Sequence, residues 1–138
     1  LAEGRGEKLT VLKPAPRFFV AACKPDFPIS TPALFARVDG VTITARPDTD
    51  AMLAAIEHGD ADTLCANVRN VFEQALDGEQ RERIETFKRA LLADGAMTSA
   101  ISGSGSVGFG RYSDKAACRR ACEALQGECV KTFCAEFV

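Results

Sequence analysis

Residues 102–106 read Ser-Gly-Ser-Gly-Ser, so three hydroxyls and two glycines share one short turn, and Gly108 and Gly110 follow at a spacing of two. Glycine has no Cβ, which lets a backbone turn tightly and lets its N–H groups approach an anion such as a phosphate. No Gly-Lys-Ser/Thr follows, which excludes a Walker-type loop. A strand rather than a helix comes next, which excludes a dinucleotide fingerprint. An ordinary hairpin turn of the same composition is the alternative reading. No nucleophile–base pair accompanies the turn: His58 is the single histidine, and it stands at a helix end beside Gly59, the place of a C-terminal cap. Asn70 and Glu73, three residues apart, share a helical face, and a cap or an inter-helix hydrogen bond accounts for them equally well. Phe35 reads either as core or as a platform on which a flat ligand stacks.

The six cysteines stand at 23, 65, 118, 122, 129 and 134, without a Cys-x-x-Cys pair. Cys118 and Cys122 fall on one side of a helix, but structural zinc usually takes two closely spaced ligand pairs, so no metal site is expected. Reduced thiols in a cytosolic protein, packed as small apolar side chains, is the reading adopted.

The elements that must position the Gly-rich turn follow from pattern. Residues 1–16 are polar, with Gly4, Gly6, Pro14 and Pro16, and read as a linker or an edge strand entering the domain. Residues 17–23 form a β-type run ended by Pro25 and Pro28. Thr31 is the expected N-cap of a helix with Pro32 in its first turn, Leu34, Phe35 and Val38 on one face, and Gly40 as its stop. Asp48 caps a helix over about 50–58. Gly59-Asp60 opens a further one carrying Leu64, Val68, Val71, Phe72 and Leu76. A longer helix over 79–93 turns Ile84, Phe87, Leu91 and Leu92 inward and Arg81, Glu82, Glu85 and Lys88 outward, with Gly95 as its C-cap. Two strands, 97–102 and 106–112, flank the turn. Asp114 then begins a helix whose apolar side is Ala117, Cys118, Ala121, Cys122 and Leu125, and residues 129–137 alternate as a last strand. This order predicts an α+β fold, a split β-α-β layout with helices packed on one face of a four-stranded sheet.

Composition narrows the class. The 138 residues are 46% hydrophobic and 26% charged, enough for one domain with a proper core and too apolar for disorder. The formal charge of −2 gives no electrostatic basis for binding nucleic acid or anionic membrane. No apolar run reaches the roughly 18 residues of a membrane span, and residues 1–10 lack the apolar centre of a signal peptide.

Several segments resemble a known family. Gly4-Arg5-Gly6-Glu7-Lys8-Leu9, Lys24-Pro25-Asp26, Ile29-Ser30-Thr31-Pro32-Ala33-Leu34-Phe35, Arg46-Pro47-Asp48-Thr49 and Asn70-Val71-Phe72-Glu73 are similar, in order and spacing, to the 4-diphosphocytidyl-2-C-methyl-D-erythritol kinases. Ile101-Ser102-Gly103-Ser104-Gly105 running into Phe109-Gly110 resembles the third motif of the wider GHMP kinase superfamily. The resemblance implies the superfamily's C-terminal domain, ferredoxin-like, over 17–138, with 1–16 entering from an N-terminal domain. It implies transfer of the γ-phosphoryl group of ATP, with Mg2+, to the 2-hydroxyl of a cytidyl-methylerythritol, in the bacterial cytoplasm and in the non-mevalonate route to isoprenoids.

On this reading Thr31 and Phe35 line the substrate pocket, Phe35 stacking on the cytosine, and Ser102, Gly103, Ser104, Gly105 and Ser106 form the loop on the phosphate side. The catalytic Asp and Lys are expected in the N-terminal half, together with the Gly- and Ser-rich phosphate loop, so the 138 residues alone are expected to be inactive. Ser106-Val107 departs from the Pro-Thr usual after Gly-Ser-Gly, which predicts a looser turn. An apolar interface left exposed around the strand pair and Phe35 is expected, and with it dimerisation. A homoserine- or mevalonate-type kinase and a stand-alone α+β ligand-binding module are the alternatives.

Overall fold

The run Phe18–Lys24 (β3) becomes the central strand because its β-branched and aromatic residues alternate between two faces of a sheet. The computed structural model describes residues 1–127 and 129–137. Ahead of β3, Ala2–Glu3 (β1) and Lys8–Leu9 (β2) pair as a small antiparallel hairpin, so the predicted linker carries a turn of its own. After β3 come helices Thr31–Gly40 (α1), Thr49–His58 (α2) and Ala61–Ala66 (α3), a 3-10 turn at Val71–Ala75, and helix Gly78–Ala93 (α4). Strands Thr98–Ile101 (β4) and Gly108–Tyr112 (β5), helix Lys115–Ala124 (α5) and strand Lys131–Phe137 (β6) complete the order.

The four-stranded sheet runs β4-β5-β3-β6 with every neighbour antiparallel. That is the split β-α-β arrangement predicted from the order of elements. α4 and α5 cover one face, where Ala21, Cys23, Leu91, Tyr112, Cys118, Ala121, Cys122 and Leu125 form a buried cluster. Tyr112 is wholly buried and its hydroxyl donates to the Leu91 carbonyl at 3.3 Å. Gly108 is a packing residue: a Cβ there would lie 2.1 Å from Cε1 of Phe87 on α4, so only glycine admits the helix this close. A second cluster joins α1 and the 3-10 turn to Ile84 and Ile101, and a third gathers α2 and α3 around Phe18. Among the described residues no helix is long and apolar enough to cross a membrane.

Four expectations change. The helix predicted from Asp60 through Leu76 is two elements, because the chain breaks at residues 67–70 and Asn70 caps the 3-10 turn by accepting from the Phe72 amide. Leu92, expected inward, is 46% exposed on the outer flank of α4. Lys88, expected outward, is only 17% exposed and pairs with Glu73. The cysteines are not all reduced: Cys23 and Cys129 form a disulfide with a Cα–Cα distance of 6.1 Å. The sheet register explains it, since β3 ends beside the start of β6 and brings Cys23 next to the segment that carries Cys129. Burial pushes the free thiol of Cys122 up to about 11, and that of Cys118 up as well.

Candidate functional site

Two hydroxyl side chains far apart in sequence meet at one end of the sheet. Thr31 Oγ1 lies 2.7 Å from Ser104 Oγ, joining the first turn of α1 to the Gly-rich loop between β4 and β5. The contact depends on which residue caps α1. Ser30, with extended backbone, is the N-cap and its Oγ accepts from the Ala33 amide at 3.4 Å. Thr31 was the expected cap, but it is already helical, and its hydroxyl is therefore available to the loop. One turn on, Phe35 is 53% exposed, its ring edge-on to Phe72 with centroids 4.9 Å apart. Leu34 beside it takes the core position, which leaves a free aromatic face on the outer side of α1.

The loop is closed by its own backbone. The Ser102 amide donates to the Val107 carbonyl at 2.7 Å and the Gly105 amide to the Ser102 carbonyl at 3.0 Å. Gly105 has φ +86°, a conformation that favours glycine, and a Cβ on it would come within 2.7 Å of Ile29 Cδ1, the movable end of that side chain. Gly103 also has positive φ, at 58°. Ser102 and Gly103 are exposed, Ser104 and Gly105 half-buried, and Ser106 is buried under the turn at 7% exposure. The expected loop residues thus divide into a rim that includes Ser104 and a base that includes Ser106. Behind the base an open cleft of about 490 Å3 runs between the loop and residues 24–29.

Asn70 and Glu73 turn out to hold this loop. Asn70 Nδ2 donates to the Ile101 carbonyl at 2.9 Å and to the Gly103 carbonyl at 2.8 Å. Glu73 Oε1 accepts from the Ile101 amide at 2.8 Å, while its Oε2 takes Lys88 Nζ at 2.6 Å. These groups occupy the free edge of β4 at the point where the chain enters the loop. Burial alone would lower the Lys88 ammonium; Glu73 and Glu85 outweigh it and hold the group above the ordinary lysine range. Sequence pattern finds Asn70 and Glu73 as a pair but not their target, which lies about thirty residues away. His58 stays apart at the end of α2, its Nδ1 2.7 Å from the Ala54 carbonyl.

The assembled site offers hydroxyls, turn amides and an aromatic face. These groups suit a ligand with a flat ring and an anionic end. Glu73, the carboxylate that grips the loop, has both oxygens engaged, and Asp26 on the far wall of the cleft is paired with Arg83. The arrangement can bind and orient; with its carboxylates committed to Lys88, the Ile101 amide and Arg83, the described residues do not fit a resident Mg2+.

Known proteins share this framework. The family described as "GHMP kinases C terminal" matches residues 52–131, a span that contains the Gly-rich loop, Asn70 and Glu73 but not Thr31 or Phe35. A 4-diphosphocytidyl-2-C-methyl-D-erythritol kinase of Listeria monocytogenes is 32% identical over 96% of this chain and 45% of its own length. The enzyme of that name from Caldicellulosiruptor saccharolyticus is 34% identical over 91% of this chain and 43% of its own. The chain therefore spans less than half the length of these relatives. Among solved structures, a 4-(cytidine 5'-diphospho)-2C-methyl-D-erythritol kinase superposes with a TM-score of 0.73 at 23% identity, over 96% of this chain and 47% of the other. A homoserine kinase from Cytophaga hutchinsonii does so with a TM-score of 0.66 at 16% identity, over 94% and 43%. These two likenesses establish the shared fold. With more than half of its residues inside the family's matched span, the chain belongs to the GHMP kinase C-terminal domain family.

Proposed function

We propose that this chain is the substrate-side domain of a 4-diphosphocytidyl-2-C-methyl-D-erythritol kinase, which transfers the γ-phosphoryl group of ATP to the 2-hydroxyl of its substrate. The observation that carries the reading is the meeting of Thr31 with Ser104, because it joins the two sequence segments most similar to that kinase into one surface beside the exposed Phe35. Relatives of that name, matched over nearly the whole chain, support it.

Phosphoryl transfer relies mainly on positioning and on stabilising charge, and this domain's groups suit that work. The Phe35 ring takes the cytosine on its outer face. Thr31 and Ser104 donate to substrate oxygens at the rim, and the amides of the Gly-rich turn face developing negative charge. Asn70 and Glu73 act through the loop as positioning residues. The base that takes the 2-hydroxyl proton, and the carboxylates that hold Mg2+ when ATP binds, belong to an N-terminal domain packed against this one. That pairing also covers Phe35, and without it the exposed apolar surface favours self-association. The setting is the bacterial cytoplasm, as part of isoprenoid biosynthesis.

Calorimetric titration with CDP tests the assignment. CDP is expected to bind in preference to homoserine and mevalonate. Phe35→Ala is expected to weaken CDP binding about tenfold, since stacking of one base contributes roughly 1–3 kcal/mol. Unchanged affinity in Phe35→Ala refutes the stacking role. Preference for homoserine or mevalonate over CDP points to another kinase of the superfamily.

A further inference from the structure

We propose that Cys118, Cys122 and Cys134 form a binding site for a thiophilic d10 cation, of the zinc(II) or copper(I) class, on the helix-covered side of the sheet. The three Sγ atoms lie within 4.8 Å of one another, with Cys118 and Cys134 at 3.3 Å. Their convergence comes from two separate elements. Cys118 and Cys122, one helical turn apart, sit on the buried side of α5. Cys134 on β6 stands opposite Ala21 of β3, whose side chain belongs to the cluster beneath that helix.

The spacing matches soft-metal chemistry. Metal–sulfur bonds of about 2.3 Å place three thiolates roughly 3.8–4.0 Å apart in tetrahedral or trigonal geometry. The sulfurs therefore need to move by less than about an ångström to bind. Three thiolates with no carboxylate or imidazole among them select zinc or copper(I) over hard cations such as magnesium and calcium. Ala121 and Leu125 line the inner side with apolar groups. Cys134 is exposed on an edge strand, which supplies an entry path and leaves a fourth position open to water. Binding needs no oxidant: each thiol gives its proton to solvent as its sulfur–metal bond forms, so one ion releases up to three protons. The inference does not depend on the kinase reading.

The test uses the chain as isolated, anaerobic and without added reductant, so that the Cys23–Cys129 disulfide stays intact. Zn2+ and Cu+ are each titrated against a chromophoric chelator, and Co2+ serves as a spectroscopic stand-in for zinc. The expected result is one ion per chain, with sulfur-to-cobalt charge-transfer bands and release of protons on binding. Cys118→Ser, Cys122→Ser and Cys134→Ser should each weaken binding at least tenfold, and Cys65→Ser should leave it unchanged. Cys134→Ser decides the matter if the buried variants fail to fold, because its position is exposed. The proposal is overturned by the absence of saturable binding of either ion, or by full affinity in Cys134→Ser. It is overturned equally by a titre of two free thiols in the unfolded chain, which would make Cys118 and Cys134 a disulfide.

Discussion

The Gly-rich loop and the cysteine cluster hang from the same four-stranded sheet, yet they are held by different means. The loop is fixed through backbone atoms: Asn70 takes the carbonyls of Ile101 and Gly103, and Glu73 takes the Ile101 amide. The cysteine end is fixed through side chains, by the Cys23–Cys129 disulfide and by thiols of α5 facing β6. Anchors that grip only backbone tolerate changes in the loop's own residues. A region specified by side-chain identity has no such tolerance.

If the two ends are held separately, the largest effect should come from cutting the covalent one. The disulfide closes a sequence separation of 106 residues. In the chain-entropy account, releasing a loop of that length costs about 5 kcal/mol of folding stability. Denaturant titration of Cys23→Ser against the parent chain measures it. Amide exchange at residues 101–105 should change no more than the global loss of stability requires. Selective loosening of the loop would show that the ends are coupled and would break the comparison.

The same contrast explains what the amino-acid pattern reveals. Caps at Asp48, Asp60 and Asp114 are legible because an N-cap bonds an amide three residues on, so all the information is local. The strand order follows from the succession of elements. The Gly-rich turn is legible as a turn from its composition. What stays hidden depends on partners distant in sequence. Ser30 and Thr31 are equally good caps by type, and the tertiary partner Ser104 marks which hydroxyl is left over. Lys88 lies on the polar side of α4 by periodicity, yet Glu73, fifteen residues earlier, draws it into a half-buried pair. The helix that hydrophobic spacing would continue stops at Ala66, and Asn70, its side chain committed to the loop, starts a separate 3-10 turn. No local signal marks the Cys23–Cys129 pairing.

The next effect in size belongs to the loop end. Glu73→Leu removes the partner of a mostly buried ammonium and strands the Ile101 amide, a combined loss of about 3 kcal/mol. Glu85→Gln, which touches the same lysine from an exposed position, should cost well below 1 kcal/mol. Thermal unfolding ranks the two variants, and equal losses would remove Glu73 from its place as anchor. The pH dependence has a definite sign. The Lys88 ammonium is held above the usual lysine range, so its contribution is complete below the unfolded pKa of about 10.4 and fades as pH rises through the folded value. An alkaline loss of stability that Glu73→Gln abolishes is the expected signature.

The smallest effect tests whether a side-chain contact made by the loop's own residues matters at the loop end. Thr31→Val keeps the branched shape and removes the oxygen that meets Ser104. The contact is exposed, so the loss in stability should be about 0.5 kcal/mol, at the low end for a single hydrogen bond. The loop should respond more than the fold: amide exchange at Gly103 and Gly105 should quicken while β5 stays protected. Thr31→Ser, which retains the hydroxyl, should restore the slow exchange. If Thr31→Ser and Thr31→Val exchange alike, the backbone grip of Asn70 and Glu73 alone sets the loop, and the link between α1 and the Gly-rich turn reduces to shape. If they differ, one hydroxyl pair couples the segment bearing Phe35 to the loop, and the two halves of the candidate site move together.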